Sequence, residues 1–366
     1  MNEAGVAQSF AERLLGWYQD NGRDLPWRNP PSPYAVWISE IMLQQTQVER
    51  VIPYFRSWMD RFPSLDSLAE AEQDEILKLW QGLGYYSRAA NIHRAARLMQ
   101  AEHGSAVPGE YQSLRKLPGI GDYTASAILS LAFNHPCPAV EANVIRLGSR
   151  LFDVTEPTNS TACRERIRQG LAELIPSDQA GRFNQACMDL GAMVCLSGRP
   201  RCEVCPVVDW CLARQSGLQL ERPVKPAGQK TSAIQVAAGV LVHDGRILIQ
   251  KRPPNGLMAN LWEFPGGKLQ SRETAEQALK REFLEELELS VQVGRRIMVI
   301  RHSYTRFRVT LFVYWCRLLS SPNRLRLRAA SDSRWVLPGE LDGFAFPSAD
   351  RKLLTVLKSE LGPAQA

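Results

Sequence analysis

The sequence predicts a multidomain protein, an all-helical domain followed by an α+β domain, and three observations carry that division. Its 366 residues are 45% hydrophobic, enough for about two cores. Apolar residues recur at helical spacing in IMLQQTQVERVIPYF, LKLWQGLGYYSRAANIHRAARLM and TASAILSLAF, with no convincing hairpin among them. After SGLQLERPVKPAGQKTS, a Pro, Gly and polar stretch without period, alternating patterns take over. The domains are therefore read as 1–215 and 233–366, joined by a linker at 216–232.

The N-terminus MNEAGVAQSFAERLLGW carries acids where a signal peptide is basic, and runs such as VAAGVLV are too short to span a bilayer. A soluble, cytoplasmic protein with no membrane partner is expected. Glu40 sits in the apolar setting VWISEIML, where desolvation would raise its pKa and keep a proton on it. In LPGIGDYTASAILS, Pro118, Gly119 and Gly121 make a tight turn opening onto a helix, so backbone N–H groups can face a phosphate. A turn joining two core helices would read the same way. AVEANVIRL follows, with Glu141 either a working carboxylate or one more acid on a packed helix.

Four of the eight cysteines form C-x6-C-x2-C-x5-C at Cys195, Cys202, Cys205 and Cys211, while Cys137, Cys163, Cys187 and Cys316 are scattered. In a reducing compartment such clustering points to metal ligation, and both tetrahedral zinc and a [4Fe-4S] cluster accept four thiolates. Beyond the linker, AIQVAAGVLV, the turn His243-Asp244-Gly245 and RILIQKR read as a hairpin, with RFRVTLFVYWCRL a later strand. The net charge is +6; residues 1–220 carry about −3, leaving about +9 for the rest. From Arg295 to Arg328 there are nine arginines and no acid, interleaved with His302, Tyr304, Phe307 and Tyr314. That mixture suits phosphate neutralisation with base stacking, or a solvated sheet face.

The turn, the carboxylate after it and the cysteine loop, in that order, resemble the [4Fe-4S]-containing helix-hairpin-helix DNA glycosylases. DLPWR at 24–28, WISEIMLQQTQV at 37–48, GLGYYSRAANI at 82–92 and NQACMDLGAMVC at 184–195 narrow the resemblance to MutY-type adenine DNA glycosylases, which remove adenine mispaired with 8-oxoguanine. The resemblance implies a [4Fe-4S] cluster on Cys195, Cys202, Cys205 and Cys211, within a loop whose Arg199 and Arg201 meet the DNA backbone. It implies Glu40 as the acid that protonates the leaving base, Glu141 as the anion that stabilises an oxocarbenium-like sugar, and Asn143 as a support for the Glu141 loop. Glu141-Ala142 stands where the family has Asp-Gly. Tyr123 replaces the lysine of relatives that also nick the backbone, so a monofunctional enzyme leaving an abasic site is expected. Gln44, Gln45, Thr46 and Tyr86 would contact DNA, Gln45 and Tyr86 wedging beside 8-oxoguanine. Trp27, Arg28 and Asp189 would line the pocket of the extruded adenine.

The stretch GKLQSRETAEQALKREFLEELEL resembles the Nudix box, with Gly267, Glu273, Arg281, Glu282, Glu285 and Glu286 in place. Glu282, Glu285 and Glu286 share one helix face, the arrangement for a divalent cation on a diphosphate. Glu288 stands at the second glycine of the box, where a helix end commonly turns left-handed. In HSYTR, Tyr304, Thr305 and Arg306 resemble the loop that recognises 8-oxoguanine, with Arg306 in place of the usual histidine. The resulting expectation is a monomeric glycosylase acting on double-stranded DNA with A:8-oxoguanine or A:G mispairs. Two alternatives are a Nudix hydrolase of oxidised nucleotides with an attached DNA-binding domain, and a lesion-binding relative with a decayed site.

Overall fold

The computed structural model describes residues 3–226, 232–303 and 307–361, so the expected lesion-reading residues Tyr304, Thr305 and Arg306 lie outside the described residues. The chain divides into two compact units, Met1–Glu70 with Asn91–Ala227, and Ala71–Ala90 with Gly228–Ala366. This differs from a single cut at 216–232, because a twenty-residue segment groups with the C-terminal part of the chain. Polar contacts join it there: Lys78 and Gln81 donate to the carbonyls of Phe344 and Phe346, and Asp74 pairs with Lys251. No helix among the described residues is long and apolar enough to cross a membrane.

The helices run α1 (Glu3–Asn21), α2 (Pro33–Leu43), α3 (Val48–Arg61), α4 (Leu65–Ala69), α5 (Gln73–Trp80), α6 (Ser87–Glu102), α7 (Tyr111–Lys116), α8 (Asp122–Phe133), α9 (Ala142–Leu151), α10 (Thr161–Ala172), α11 (Ala180–Met193) and α12 (Leu212–Gln215). Local chemistry fixes several starts. Ser32 caps α2 with Pro33 in the first turn, and Ser160 caps α10. In the first unit α2 packs on α8, and α11 packs on α1, α8 and α9. Their shared core holds Phe10, Leu14, Leu147, Ile167, Phe183 and Leu190.

Two stretches that the periodicity reads as continuous helix are broken. The first stops at Leu43 and resumes at Val48, with Gln45 at φ 56° between; the second stops at Trp80 and resumes at Ser87. Apolar residues stay in phase across both gaps, so spacing alone does not reveal them.

The second unit is built on a mixed sheet ordered β3-β2-β1-β6-β5, from β1 (Ser232–His243), β2 (Arg246–Lys251), β3 (Trp262–Glu263), β4 (Gly266–Lys268), β5 (Val291–Ser303), β6 (Phe307–Leu318) and β7 (Asp332–Val336). β4 also pairs with β1, and β7 with β2, while β1 and β6 run parallel. The expected hairpin forms, His243 facing Arg246 across Asp244 and Gly245, both with φ > 0. Alternation along β1 sends Ala237 and Leu241 to one face, with Phe283 and Leu287 of α13 (Ala275–Leu287). It sends Ala238 and Val240 to the other, with Leu353 and Leu357 of α14 (Asp350–Leu361).

Glu288 does take the left-handed conformation, at φ 56°, and closes α13 with a bond from its N–H to Leu284. The missing glycine therefore does not abolish the turn; it leaves a strained residue in it. Glu288→Gly is expected to stabilise the second unit by about 1 kcal/mol, since its exposed ion pair with Arg328 contributes less than the relieved strain. Calorimetry of the full chain checks this, and an unchanged or lower melting temperature counts against the strain.

Candidate active site

A cleft of about 980 Å³ in the first unit gathers Glu40, Tyr123, Glu141 and Asn143. Glu40 lies on α2, a helix buried from Ala35 to Met42, so its carboxyl is carried into an apolar interior. Burial drives Glu40 up to about 7, the Tyr123 hydrogen bond opposes that rise and the nearby Glu141 adds to it. The Tyr123 hydroxyl donates to Glu40 Oε2. Burial and the two carboxylates push the phenol itself well above its ordinary value, so it remains a donor.

Tyr123 arrives there through the turn between α7 and α8. Ile120 N–H donates to the Leu117 carbonyl at 3.2 Å, and Arg115 Nη1 clamps the Ile120 carbonyl at 2.6 Å. Gly119 holds φ 80°, and a Cβ there would lie 2.8 Å from Asn91 Cβ, so glycine is required twice over. Gly119 and Gly121 line the cleft, whereas Pro118 does not.

Glu141 is the N-cap of α9. Its Oε1 accepts from the backbone N–H of Asn143 at 2.8 Å and of Val144 at 3.0 Å, and Oε2 accepts from Asn143 Nδ2 at 3.3 Å. Burial raises this carboxyl, while the two N–H groups, the amide and Arg146 pull it back. The longer acid thus folds onto the helix end, where the dipole favours an anion. Ala142 is simply the first helical residue.

Of the expected adenine pocket, Trp27 and Arg28 line the cleft but Asp189 does not. Asp189 is fully buried behind them, accepting from Arg28 Nη1 at 2.8 Å and Nη2 at 3.0 Å and from Arg23 through Nε at 2.8 Å and its backbone N–H at 2.9 Å. Burial alone would raise this carboxyl; the two guanidiniums hold it below the usual range. Its structural work is to fix Arg28, and Arg23, absent from the sequence reading, shares it. Gln44, Gln45 and Thr46 line the cleft, with Gln44 Nε2 bonded to Thr124 Oγ1 at 3.3 Å.

Tyr86 is 6% exposed and its hydroxyl donates to the Phe346 carbonyl at 3.1 Å, so in this structure it is packed inward. The neighbouring Tyr85 is 46% exposed.

The sulfurs of Cys195, Cys202, Cys205 and Cys211 line one cavity, with no disulfide among them. Arg150 Nη1 donates to Cys195 Sγ at 3.2 Å, and Cys211 Sγ donates to the Arg150 carbonyl at 3.4 Å. Burial pushes the Cys205 thiol up to about 12, so a thiolate there needs a positive centre to hold it. Among the described residues no three His, Cys, Asp or Glu side chains close on one point as ligands of a single ion would. Four thiols lining one cavity are a donor set for a metal centre. Arg199 and Arg201 are exposed on the loop between Cys195 and Cys202.

Sequence reading also passed over Arg146. Its guanidinium donates to Asn143 Oδ1 at 2.7 Å and, through Nε, to the Cys195 carbonyl at 2.7 Å, so hydrogen bonds run from Glu141 to a cysteine of the loop. The signal was there: Asn143, Arg146 and Arg150 are spaced by three and four, one face of a helix.

In the second unit Arg281 donates to Glu282 at 2.9 Å and Glu285 at 3.0 Å, and Glu286 accepts from Gln250 at 3.3 Å. Glu282 and Glu285 share Arg281 while Glu286 is tied to Gln250, and among the described residues no three such carboxylates are grouped around one point. A Cβ at Gly267 would sit 2.1 Å from Glu282 Oε1, so a side chain there would displace that carboxylate. The arginine-rich stretch is partly neutralised, Arg295 by Glu360 and Arg328 by Glu288.

Comparisons with known proteins agree with this architecture. Residues 38–173 match the model of the HhH-GPD superfamily of base excision DNA repair proteins, and residues 236–356 match the NUDIX domain. The chain is 33% identical to an adenine DNA glycosylase of Buchnera aphidicola from Acyrthosiphon pisum, over 81% of this chain and 83% of that one. It is 32% identical to the human adenine DNA glycosylase, over 96% of this chain and 74% of the human protein. Among solved structures, a thermostable thymine-DNA glycosylase superposes with TM-score 0.53 at 26% identity, covering 57% of this chain and 97% of that one. A non-covalent endonuclease III–DNA complex, at 20% identity and TM-score 0.50 over 60% of this chain and 99% of that one, shares the fold. With a helix-hairpin-helix unit, a carboxylate pair in its cleft and relatives matched along most of their length, the chain belongs to the adenine DNA glycosylase family of the HhH-GPD superfamily.

Proposed function

We propose that this protein hydrolyses the N-glycosidic bond of adenine mispaired with 8-oxoguanine or guanine in double-stranded DNA, leaving an abasic site. The observation that carries the reading is the carboxyl pair. Glu40, raised to about 7 by burial, keeps a proton to give to the leaving base as the bond breaks. Glu141, held by two helix N–H groups and an amide, is the partner that remains ionised and faces the positive sugar. Water then supplies the hydroxyl. Tyr123 has no amine with which to form an imine, and no lysine is among the residues lining the cleft, which supports hydrolysis without strand cleavage. Trp27 and Arg28 are the groups to hold an extruded adenine. Lesion preference is assigned to the second unit through Tyr304, Thr305 and Arg306, on the strength of their resemblance.

Cys195, Cys202, Cys205 and Cys211 would hold a [4Fe-4S] cluster, which would tie the loop together and supply no step of the hydrolysis. Arg199 and Arg201 would meet DNA phosphates beside it. Anaerobically purified protein is expected to contain about four irons per chain; stoichiometric zinc without iron would overturn the assignment.

Single-turnover release of adenine from an A:8-oxoguanine duplex tests the central reading. Glu141→Gln is expected to abolish it. Restoring Glu141→Asp with Ala142→Gly is expected to accelerate it, because a carboxylate misplaced by about 1 Å can lose on the order of a hundredfold in rate. A parent-like rate in Glu141→Gln would remove this residue from the reaction.

The pH profile follows from Glu40. Its folded value lies above the ordinary one, so the required proton is present below about 7 and lost as pH rises through it. Excision at limiting enzyme concentration is expected to fall above about pH 7 with the slope of a single proton. A profile flat from about pH 6 to about pH 8.5 would show that Glu40 is not the acid.

A further inference from the structure

The stretch in which the sequence places the start of a linker is fastened down as far as Val224. Gly217, at φ 74°, turns the chain out of α12; its N–H donates to the Arg214 carbonyl at 3.2 Å, and that of Leu218 to the Ala213 carbonyl at 2.7 Å. Arg222 N–H then returns to the Leu218 carbonyl at 3.1 Å. Beyond this turn, Arg150 Nε donates to the Arg222 carbonyl at 2.9 Å, and Arg222 Nε lies 2.8 Å from Asp153 Oδ1. Thr158 N–H donates to the Val224 carbonyl at 3.1 Å. The segment is thus tied to α9 and to the loop that follows it, and it groups with the first unit.

Fastening this segment brings one side chain to the cysteines. Gln219 lines the same cavity as Cys195, Cys202, Cys205 and Cys211, while its neighbour Leu220 is 67% exposed. The Gln219 Oε1 is buried and has no hydrogen-bond partner among the described residues. A buried amide oxygen without a donor is costly. A half-turn of the amide exchanges Oε1 for Nε2, which is a donor, and the sulfurs lining the cavity accept once deprotonated. Arg150 makes such a bond already, its Nη1 donating to Cys195 Sγ at 3.2 Å. One arginine therefore meets a cysteine sulfur with one nitrogen and holds the Arg222 carbonyl with another.

We propose that residues 217–224 form a strap over the cysteine cavity, and that Gln219 donates an amide N–H to a sulfur of the metal centre held there. The inference rests on the reading that the four cysteines hold a [4Fe-4S] cluster. An N–H donor offsets negative charge on sulfur and so favours the more reduced form, while a covering segment limits the access of water and chelators. Strap and centre stabilise each other, because a group bound only by the seated strap shifts the equilibrium toward seating.

The test uses the full, metal-loaded chain. Its readouts are iron content as purified, retention of the visible absorbance in excess EDTA, and reduction potential by protein-film voltammetry. Gln219→Met keeps the length and loses the donor; it is expected to release iron about tenfold faster than the parent and to lower the potential. Gln219→Glu is nearly isosteric with glutamine but sets an anion against thiolates, so it is expected to be worse than Gln219→Met in both. Packing alone gives the opposite order, because glutamate fits the space better than methionine. A variant that keeps its far-ultraviolet spectrum yet holds no iron as purified counts as the extreme of faster release. Leu220→Ala is expected to behave as the parent. V8 protease, which cuts after glutamate, should cleave at Glu221 more readily in loaded Gln219→Met than in the loaded parent. An unchanged potential or unchanged cleavage in Gln219→Met, or iron held as firmly in Gln219→Glu as in the parent, would overturn the proposal. A parent that carries zinc in place of iron would defeat the cluster reading alone, and retention of zinc by the same variants then decides the strap.

Discussion

Two carboxyl groups share one cleft, and burial disfavours ionising both without donors to hold them. The protein meets that constraint asymmetrically. Glu40 is given one phenol and an apolar helix, so it keeps its proton; Glu141 is given the open end of α9. The proposed acid and the proposed anion are thus separated by environment rather than by residue type. Much of the first unit serves this arrangement, from the Ser32 cap that starts α2 to the Gly119 turn that brings Tyr123 within reach of Glu40.

α9 extends the asymmetry outward. Its first turn carries Glu141 and Asn143, the next Arg146, the next Arg150, and the last two contact Cys195 by its carbonyl and its sulfur. A distortion of the cysteine loop therefore has a short covalent and hydrogen-bonded route to the carboxylate. Glu141 holds this helix end by accepting both N–H groups at Oε1 while Oε2 takes the Asn143 amide.

What could be read from the sequence was local. The β1–β2 hairpin follows from alternation and an Asp-Gly turn, the cysteine loop from spacing, and the burial of Glu40 from its apolar neighbours. What was missed depends on distant partners or on which of two neighbours points outward. Arg23 meets Asp189 across 166 positions, and nothing near Arg23 announces that pairing. The breaks after Leu43 and Trp80 are hidden because the hydrophobic phase survives them. Tyr85 and Tyr86 are chemically identical, and only the bond to Phe346 shows which is anchored.

The grouping of residues 71–90 with the C-terminal part of the chain has a consequence for synthesis. Phe344 is made 344 − 90 = 254 residues after Ala90. At roughly 5–20 residues per second, the acceptors for Lys78, Gln81 and Tyr86 are missing for about 13–50 s, the interval in which α7 to α12 of the first unit are also made. A ribosome that stops anywhere in the second unit's strands therefore leaves more than a shortened protein. It leaves a segment near the N-terminus whose donors at Lys78, Gln81 and Tyr86 lack the carbonyls they bond in the complete chain, a defect located far from the break.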